Sequence, residues 1–203
     1  GSPDQVDLVI SVAEKPTGSL QLGAGFSSAE KVSLSFAVKQ ENVFGSGNYL
    51  GVDVNTSKYR RTLVFSTTNP YFTQDGISRT LDLYYRTDKP YEDQGGNYQL
   101  VTTGASMRFG VPFSETDTVF FGGGIEQTKI KPGTNIPAAY LAYADTYGFS
   151  SNSIPLTIGW SRDDRDSALA PNSGRYQRLN SEWSVAGDAR YVRANYRSKS
   201  TRL

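Results

Sequence analysis

Side chains able to do chemistry are few here, and their types narrow what the chain can do. The 203 residues include no Cys and no His. That removes disulfides, Cys/His zinc sites, Ser-His and Cys-His nucleophile pairs and the histidine pH switch. Carboxylates, Lys and Tyr remain. The densest acidic cluster is Asp163, Asp164 and Asp166, interleaved with Arg162 and Arg165. Grouped carboxylates of this kind suggest a calcium loop or an acid/base pair, but the EF-hand's Gly and terminal Glu are missing, so the segment reads as a solvated hairpin turn. Gly122-Gly123-Gly124 is followed by neither Lys-Ser/Thr nor a helical period, which disqualifies it as a phosphate loop; small residues within a strand mark a bend or a close approach. Gly23-Ala24-Gly25 fails as a dinucleotide fingerprint for the same lack of a following helix. Asn55-Thr56-Ser57 fits the glycosylation sequon, a pattern common by chance. With 21 Lys+Arg against 20 Asp+Glu, the net charge of +1 gives no support for nucleic-acid binding. The expectation is a protein that is not an enzyme, with no metal and no cofactor.

The elements that must carry these residues are strands. Thirteen Tyr and ten Phe stand against a single Met, a balance suited to pleated sheets. After a short run at Val6–Ala13, apolar residues alternate at period two through most of the chain. Leu20, Leu22, Ala24 and Phe26 oppose Gln21, Gly23 and Gly25; Val32, Leu34, Phe36 and Val38 oppose Ser33, Ser35, Ala37 and Lys39. Leu50–Val54, Leu63–Thr67, Leu81–Tyr85, Val101–Phe109, Val119–Ile125, Ile154–Trp160 and Leu179–Val185 continue the rhythm, and Val192–Tyr196 begins a partial tenth strand. Between them come Asn42-Val43-Phe44-Gly45-Ser46-Gly47, the Pro70 stop, and a loop at Asp88–Asn97. Lys129–Ser153 reads as the longest irregular stretch, and Arg197–Leu203 abandons the pattern.

About nine strands and part of a tenth, at roughly 20 residues per strand and connection, describe an antiparallel up-and-down meander. A sandwich gives turn signals every 8–12 residues, so strands near the ~10 residues that cross a bilayer fit better. Short connections (Asn69–Gly76, Val111–Asp117) alternating with longer ones (Asp88–Asn97, Lys129–Ser153) agree with that. So do aromatics at strand ends: Tyr49, Tyr59, Tyr71, Phe72, Tyr91 and Tyr98. A soluble lipocalin-type barrel has the same period with its apolar face inside, and alternation alone does not choose between the two. No apolar run is long enough for a membrane-spanning helix. The chain opens on Gly1 with no Met and no apolar leader, which implies either a removed signal peptide or a piece of something longer.

The order of local motifs resembles the BamA-type outer-membrane assembly factors. Gly1-Ser2-Pro3-Asp4-Gln5-Val6-Asp7-Leu8-Val9 with Val12-Ala13-Glu14-Lys15 is similar to the end of that family's last periplasmic POTRA domain. Gln40-Glu41-Asn42 with Phe44-Gly45-Ser46-Gly47 resembles its second hairpin. Thr68-Asn69-Pro70-Tyr71-Phe72 with Asp75-Gly76 is the most specific match, to a periplasmic turn; Phe109-Gly110-Val111-Pro112-Phe113 and Asp163–Gly174 resemble two more. The resemblance is colinear from Gly1 to about Tyr196.

What it implies is an all-β, incomplete transmembrane barrel: residues 1–16 the end of a POTRA domain and linker, 17–196 about nine to ten of sixteen barrel strands, 197–203 a non-matching tail suggestive of truncation or a frame shift. The family's later strands and its Val-Arg-Gly-Phe/Tyr loop are absent. The implied function is assembly and insertion of β-barrel proteins into the bacterial outer membrane, with Ser19, Leu20, Gln21, Leu22, Gly23, Ala24, Gly25 and Phe26 as the strand edge that pairs with substrate. Asn69, Pro70, Tyr71 and Phe72 form the periplasmic turn motif. Implied partners are unfolded outer-membrane proteins, outer-membrane lipid, and accessory lipoproteins acting mainly through POTRA domains. Gly23 and Gly25 either keep the edge easy to open or accommodate barrel curvature. The alternative in another class is a pore-forming or ligand-binding barrel whose Gly/Ser/charged face lines a lumen; a soluble-barrel enzyme comes third.

Overall fold

Period-two alternation bounded by Gly, Pro and Asn makes strands, and the computed structural model, which describes residues 11, 16–28, 30–90, 97–167, 171–188 and 190–202, contains ten. They are β1 (Gly18–Ser27), β2 (Lys31–Gln40), β3 (Tyr49–Thr56), β4 (Arg60–Asn69), β5 (Ser78–Asp88), β6 (Asn97–Pro112), β7 (Asp117–Asn135), β8 (Ser150–Asp163), β9 (Ser173–Gly187) and β10 (Val192–Arg202). All pair in sequence order into one antiparallel meander, with β1 and β10 as its edges. The run at Val6–Ala13, Ser11 apart, lies outside the described residues.

Register decides which faces meet. Leu22 pairs with Phe36, Phe36 with Val54, Val54 with Leu63, Leu63 with Tyr85 and Tyr85 with Thr103. Further along, Phe109 pairs with Phe121, Phe121 with Ile158, Ile158 with Ser181 and Ser181 with Ala194. Each alternating apolar set therefore joins its neighbours in one continuous surface, since a slip of one residue would have sent a strand's set to the other face.

That surface is the outer one. Leu22 is 75%, Phe26 77% and Ile158 48% exposed, whereas Ser151, Ser153 and Ser184 are buried at 4%, 8% and 6%. The polar face is concave and crowded; the apolar face is convex and largely bare, except at its far end, where Thr87 and Val101 are buried at 4% and 7%. A soluble barrel does the reverse, and water against this surface would cost about 25 cal/mol per Å². Lipid is the solvent that fits it. Among the described residues no helix is long and apolar enough to cross a membrane; the strands do the crossing.

Three expectations change. Lys129–Ser153 is not irregular: β7 runs to Asn135, and an α-helix, α1 (Ala138–Tyr147), follows before β8 begins at Ser150. Apolar alternation stops after Ile125 because Gln127, Lys129 and Lys131 occupy the outward positions, yet their backbone still pairs with β6. The helix is Ala-rich, starts after Pro137 and ends at Gly148, whose φ is +78° and whose N–H reaches the Ala144 carbonyl at 2.7 Å. Tyr140 lies against Tyr98 with ring centroids 4.5 Å apart, and the Tyr143 hydroxyl donates to Ser151 Oγ. Second, Arg197–Arg202 stays in β10, paired with Arg178–Ser173; ladder bonds come from the backbone and need no apolar side chains. Third, connection length does not sort the two ends. Taken from the strand bounds, the end that holds the start of β1 has connections 41–48, 70–77, 113–116 and 164–172, and the other end has 28–30, 57–59, 89–96, 136–149 and 188–191. Strand length differs instead: 8 to 11 residues in β1–β5 and 14 to 19 in β6–β9.

Candidate functional site at the free edge of the first strand

Ser19, Leu20, Gln21, Leu22, Gly23, Ala24, Gly25 and Phe26 all lie in β1, paired to β2 in unbroken register. The phase of that ladder is set by the Glu41 N–H, which donates to the Thr17 carbonyl at 2.8 Å. In an antiparallel pair, directly bonded positions alternate with unbonded ones. Ser19, Gln21, Gly23 and Gly25 thus exchange bonds with Lys39, Ala37, Ser35 and Ser33, while Gly18, Leu20, Leu22, Ala24 and Phe26 turn their N–H and C=O groups away from β2. Those five residues form the open edge, and four of them are the ones whose side chains face lipid. An edge of unpaired backbone at bilayer depth leaves each group without a partner, at several kcal/mol apiece.

The strand is held at its base and top. Gln40 Nε2 donates to Thr17 Oγ1 at 2.7 Å, and the Glu30 N–H donates to Ser27 Oγ at 2.9 Å. Gly23 and Gly25 have ordinary extended backbone; a Cβ on Gly23 would run into Ser35 Oγ, and one on Gly25 would sit 3.0 Å from Ser33 Oγ. Their small size makes room for the Ser35 and Ser33 hydroxyls on the concave face. β10 presents the second edge. The Ser184 N–H donates to the Tyr191 carbonyl at 2.9 Å, so Val192, Ala194, Tyr196, Ser198 and Ser200 turn their backbone outward.

Asn69 ends β4, and its Oδ1 accepts the Tyr71 N–H at 3.0 Å, closing an Asx turn across Pro70. The Phe72 N–H then donates to the Ile77 carbonyl at 2.9 Å. The Phe72 ring leads a row with Phe109 and Phe121, centroids 5.9 and 5.4 Å apart, and the Arg79 guanidinium lies over Phe72 at 4.3 Å. This turn, the Asn42–Gly47 turn and the Asp163–Gly174 segment share the end at which β1 starts. Of the strand-end aromatics, Tyr91 lies outside the described residues.

The acidic cluster builds a turn. Asp163 holds Arg165 through two bonds of 2.7 Å, and Asp164 accepts the Arg175 N–H. Asp166 accepts the N–H groups of Ser173 at 3.2 Å and Asn172 at 3.0 Å. These backbone donors, Ser173 foremost, hold its carboxyl below the ordinary 3.8. With the folded-state pKa below the unfolded one, the carboxylate's contribution is complete above 3.8 and is lost as pH falls through the depressed value. The Ser173 amide proton, downfield-shifted at neutral pH, will titrate upfield with a midpoint below 3.8; in Asp166→Asn the titration disappears. A midpoint at or above 3.8 counts against this turn.

The polar face carries a network that side-chain types alone do not reveal. The Tyr84 hydroxyl reaches across Gly104 to Glu126 Oε2 at 2.9 Å, and the Tyr191 hydroxyl donates to Glu182 Oε1 at 2.9 Å, with Arg193 3.7 Å from Glu182. A Cβ on Gly104 would lie 2.5 Å from the Tyr84 hydroxyl. The signal was the cross-strand row Tyr84–Gly104–Glu126, readable only once the register is known. Gly122 and Gly124 behave as expected of small strand residues: a Cβ on either would run into the β6 backbone, at Met107 and Ala105 respectively.

An antiparallel meander with a convex apolar face, a polar concave face and unpaired edges is the wall of an outer-membrane-type β-barrel, not yet closed on itself. Residues 42–201 match the model of the Omp85 superfamily domain, and the chain belongs to that superfamily. It is similar to the outer membrane protein assembly factor BamA of Neisseria meningitidis serogroup B, 34% identical over 197 residues that cover 92% of this chain and 25% of that protein. Its likeness to the BamA of Nitratidesulfovibrio vulgaris is 26% over 193 residues, 94% of this chain and 23% of that one. The crystal structure of BamA from Haemophilus ducreyi lacking POTRA domains 1–3 shares the fold, with a TM-score of 0.76 at 22% identity over 92% of this chain and 38% of that one. The chain spans about a quarter of the length of the curated relatives it matches. The bacterial outer membrane is its location.

Proposed function

We propose that this chain forms the first part of the barrel wall of an assembly factor that inserts β-barrel proteins into the outer membrane, and that β1 templates an incoming substrate strand. The carrying observation is the open edge Gly18–Phe26, whose outward backbone groups lie at bilayer depth and need strand partners. Substrates are unfolded outer-membrane β-barrel proteins, and the energy comes from their folding, with neither catalysis nor cofactor. Accessory lipoproteins act mainly through POTRA domains that precede the barrel, with residues 1–16 the end of the last of these. Asn69–Phe72, at the end where β1 starts, faces the periplasm.

A photo-crosslinker at Gln21, in a full-length protein carrying this segment, will capture a nascent barrel protein and spare a soluble one of equal size. Equal capture of both, or of neither, overturns strand templating and leaves a pore or ligand-binding barrel as the better account.

A further inference from the structure

The convex face is not evenly apolar. From β3 to β8 it holds a groove of about 900 Å³; its β5–β8 part runs between Leu83 and Tyr85 on one side and Ile125 and Ile154 on the other, and Val52, Leu63 and Phe65 line the rest. Its floor is made by small residues, Ala105 outside and Gly104 behind. The ladder also loosens here. The β7–β8 pairing is continuous from Asp117 to Gly123 and resumes at Glu126, and between those points Gly124 faces Pro155, which has no N–H to give. β8 and β9 shift register at the same place, between Ile154 and Pro155.

Polarity changes along the groove. Its walls are hydrocarbon, but its upper end is rimmed by Thr103, Gln127 and Asn152, with Gln127 Nε2 donating to Asn152 Oδ1 at 3.0 Å. The next outward-facing positions on β7 are Lys129 and Lys131, both exposed and without an ion-pair partner among the described residues. This end is opposite the one where β1 begins, hence the outer leaflet in the orientation proposed above. Apolar walls, a polar collar in which the Asp188 carboxylate accepts the Asn152 N–H at 2.8 Å, and then exposed cations match the order of groups in one kind of molecule: acyl chain, ester and glycerol region, anionic phosphate head.

We propose that the β5–β8 groove is a specific site for an anionic, phosphate-bearing lipid of the surrounding bilayer, with an acyl chain between Leu83/Tyr85 and Ile125/Ile154 and its phosphate at Lys129. This rests on the membrane-spanning reading. The test uses the full-length protein carrying this segment, in micelles supplied with phosphatidylglycerol or, separately, phosphatidylcholine, with retained lipid counted by native mass spectrometry. Heat-modifiable gel mobility is read first for every variant; its failure in the unmodified protein would sink the membrane reading and this proposal with it. Phosphatidylglycerol should be retained and phosphatidylcholine not. K129S will lower retention about tenfold, the effect of losing one charge-assisted hydrogen bond. A105F, which fills the groove floor and leaves every charge in place, will do the same, while K39S on the concave face will not. Equal retention of the two lipids, unchanged retention in both groove variants, or loss in K39S as large as in K129S overturns the site even when every protein is folded.

Discussion

Leu22→Pro in a full-length protein carrying this segment will abolish barrel assembly while leaving the protein itself folded. Leu22 is one of the residues whose N–H points away from β2, so proline there removes no bond within the sheet. What it removes is a donor to whatever strand pairs with the open edge, and it places a ring where that strand's carbonyl would sit. A carbonyl left unpaired in lipid costs several kcal/mol, on the order of a hundredfold or more in the capture equilibrium. One position along, the expectation reverses: Gly23 exchanges bonds with Ser35, so Gly23→Pro breaks the β1–β2 ladder and lowers the amount of folded barrel. Leu22→Ala keeps the backbone donor and should assemble substrate at close to the normal rate. The measurements are heat-modifiable mobility for folding and yield of a newly made outer-membrane protein for function. Should Leu22→Pro support normal yield, β1 is not the templating edge.

This contrast between neighbours was beyond the reach of the sequence, although most of the fold was not. Alternation found nine strands and the start of a tenth, with the ends of β7 and β10 cut short at Ile125 and Tyr196, because a strand with one face in lipid and one in a polar interior must repeat at two. Pro70 and the Gly-rich turns marked the ends. Which face looks outward was not legible, since Leu20–Phe26 alternates identically in a barrel standing in lipid and in a soluble barrel with its apolar face inside; relative exposure of Ile158 and Ser153 decided it. The helix Ala138–Tyr147 was hidden for a different reason: β7 keeps its backbone pairing past Ile125 after its outward side chains turn polar, so the strand looked finished and everything up to Ser153 looked irregular. Arg197–Arg202 was lost the same way. The Tyr84–Glu126 contact depends on a residue two strands from its partner with a glycine between, a relation that exists only in the register. For the candidate site, the span Ser19–Phe26 was readable, but the alternation of inward and outward backbone groups that gives each residue its separate role had to come from the bond between Glu41 and Thr17.

The assignment of faces itself has a direct test in two adjacent residues. Ile158 pairs with Phe121 and Ser181 on the convex face and is third of the four apolar positions Ile154, Leu156, Ile158 and Trp160, well inside the band. Thr157 pairs with Gly122 and Glu182 on the concave face. An arginine on the lipid face near the bilayer midplane costs about 2–4 kcal/mol. An arginine on the polar face has water to solvate it and the Glu182 carboxylate on the next strand, so its effect should stay within about 0.5 kcal/mol. Ile158→Arg, again in a full-length protein carrying the segment, is therefore expected to shift the urea midpoint of unfolding from lipid vesicles sharply downward, and Thr157→Arg to leave it nearly unchanged. The two substitutions add the same charge to the same strand one residue apart, so differences in net charge, strand propensity or unfolded state largely cancel. A barrel with its apolar face inside would change the result: the arginine replacing Ile158 would be forced into a packed interior, the one replacing Thr157 would lie in solvent, and vesicles would influence neither. Dependence of the Ile158→Arg penalty on the presence of a bilayer is the decisive part: a penalty of equal size in vesicles and in lipid-free buffer would place Ile158 against protein, and the wall-of-barrel assignment would fall with it.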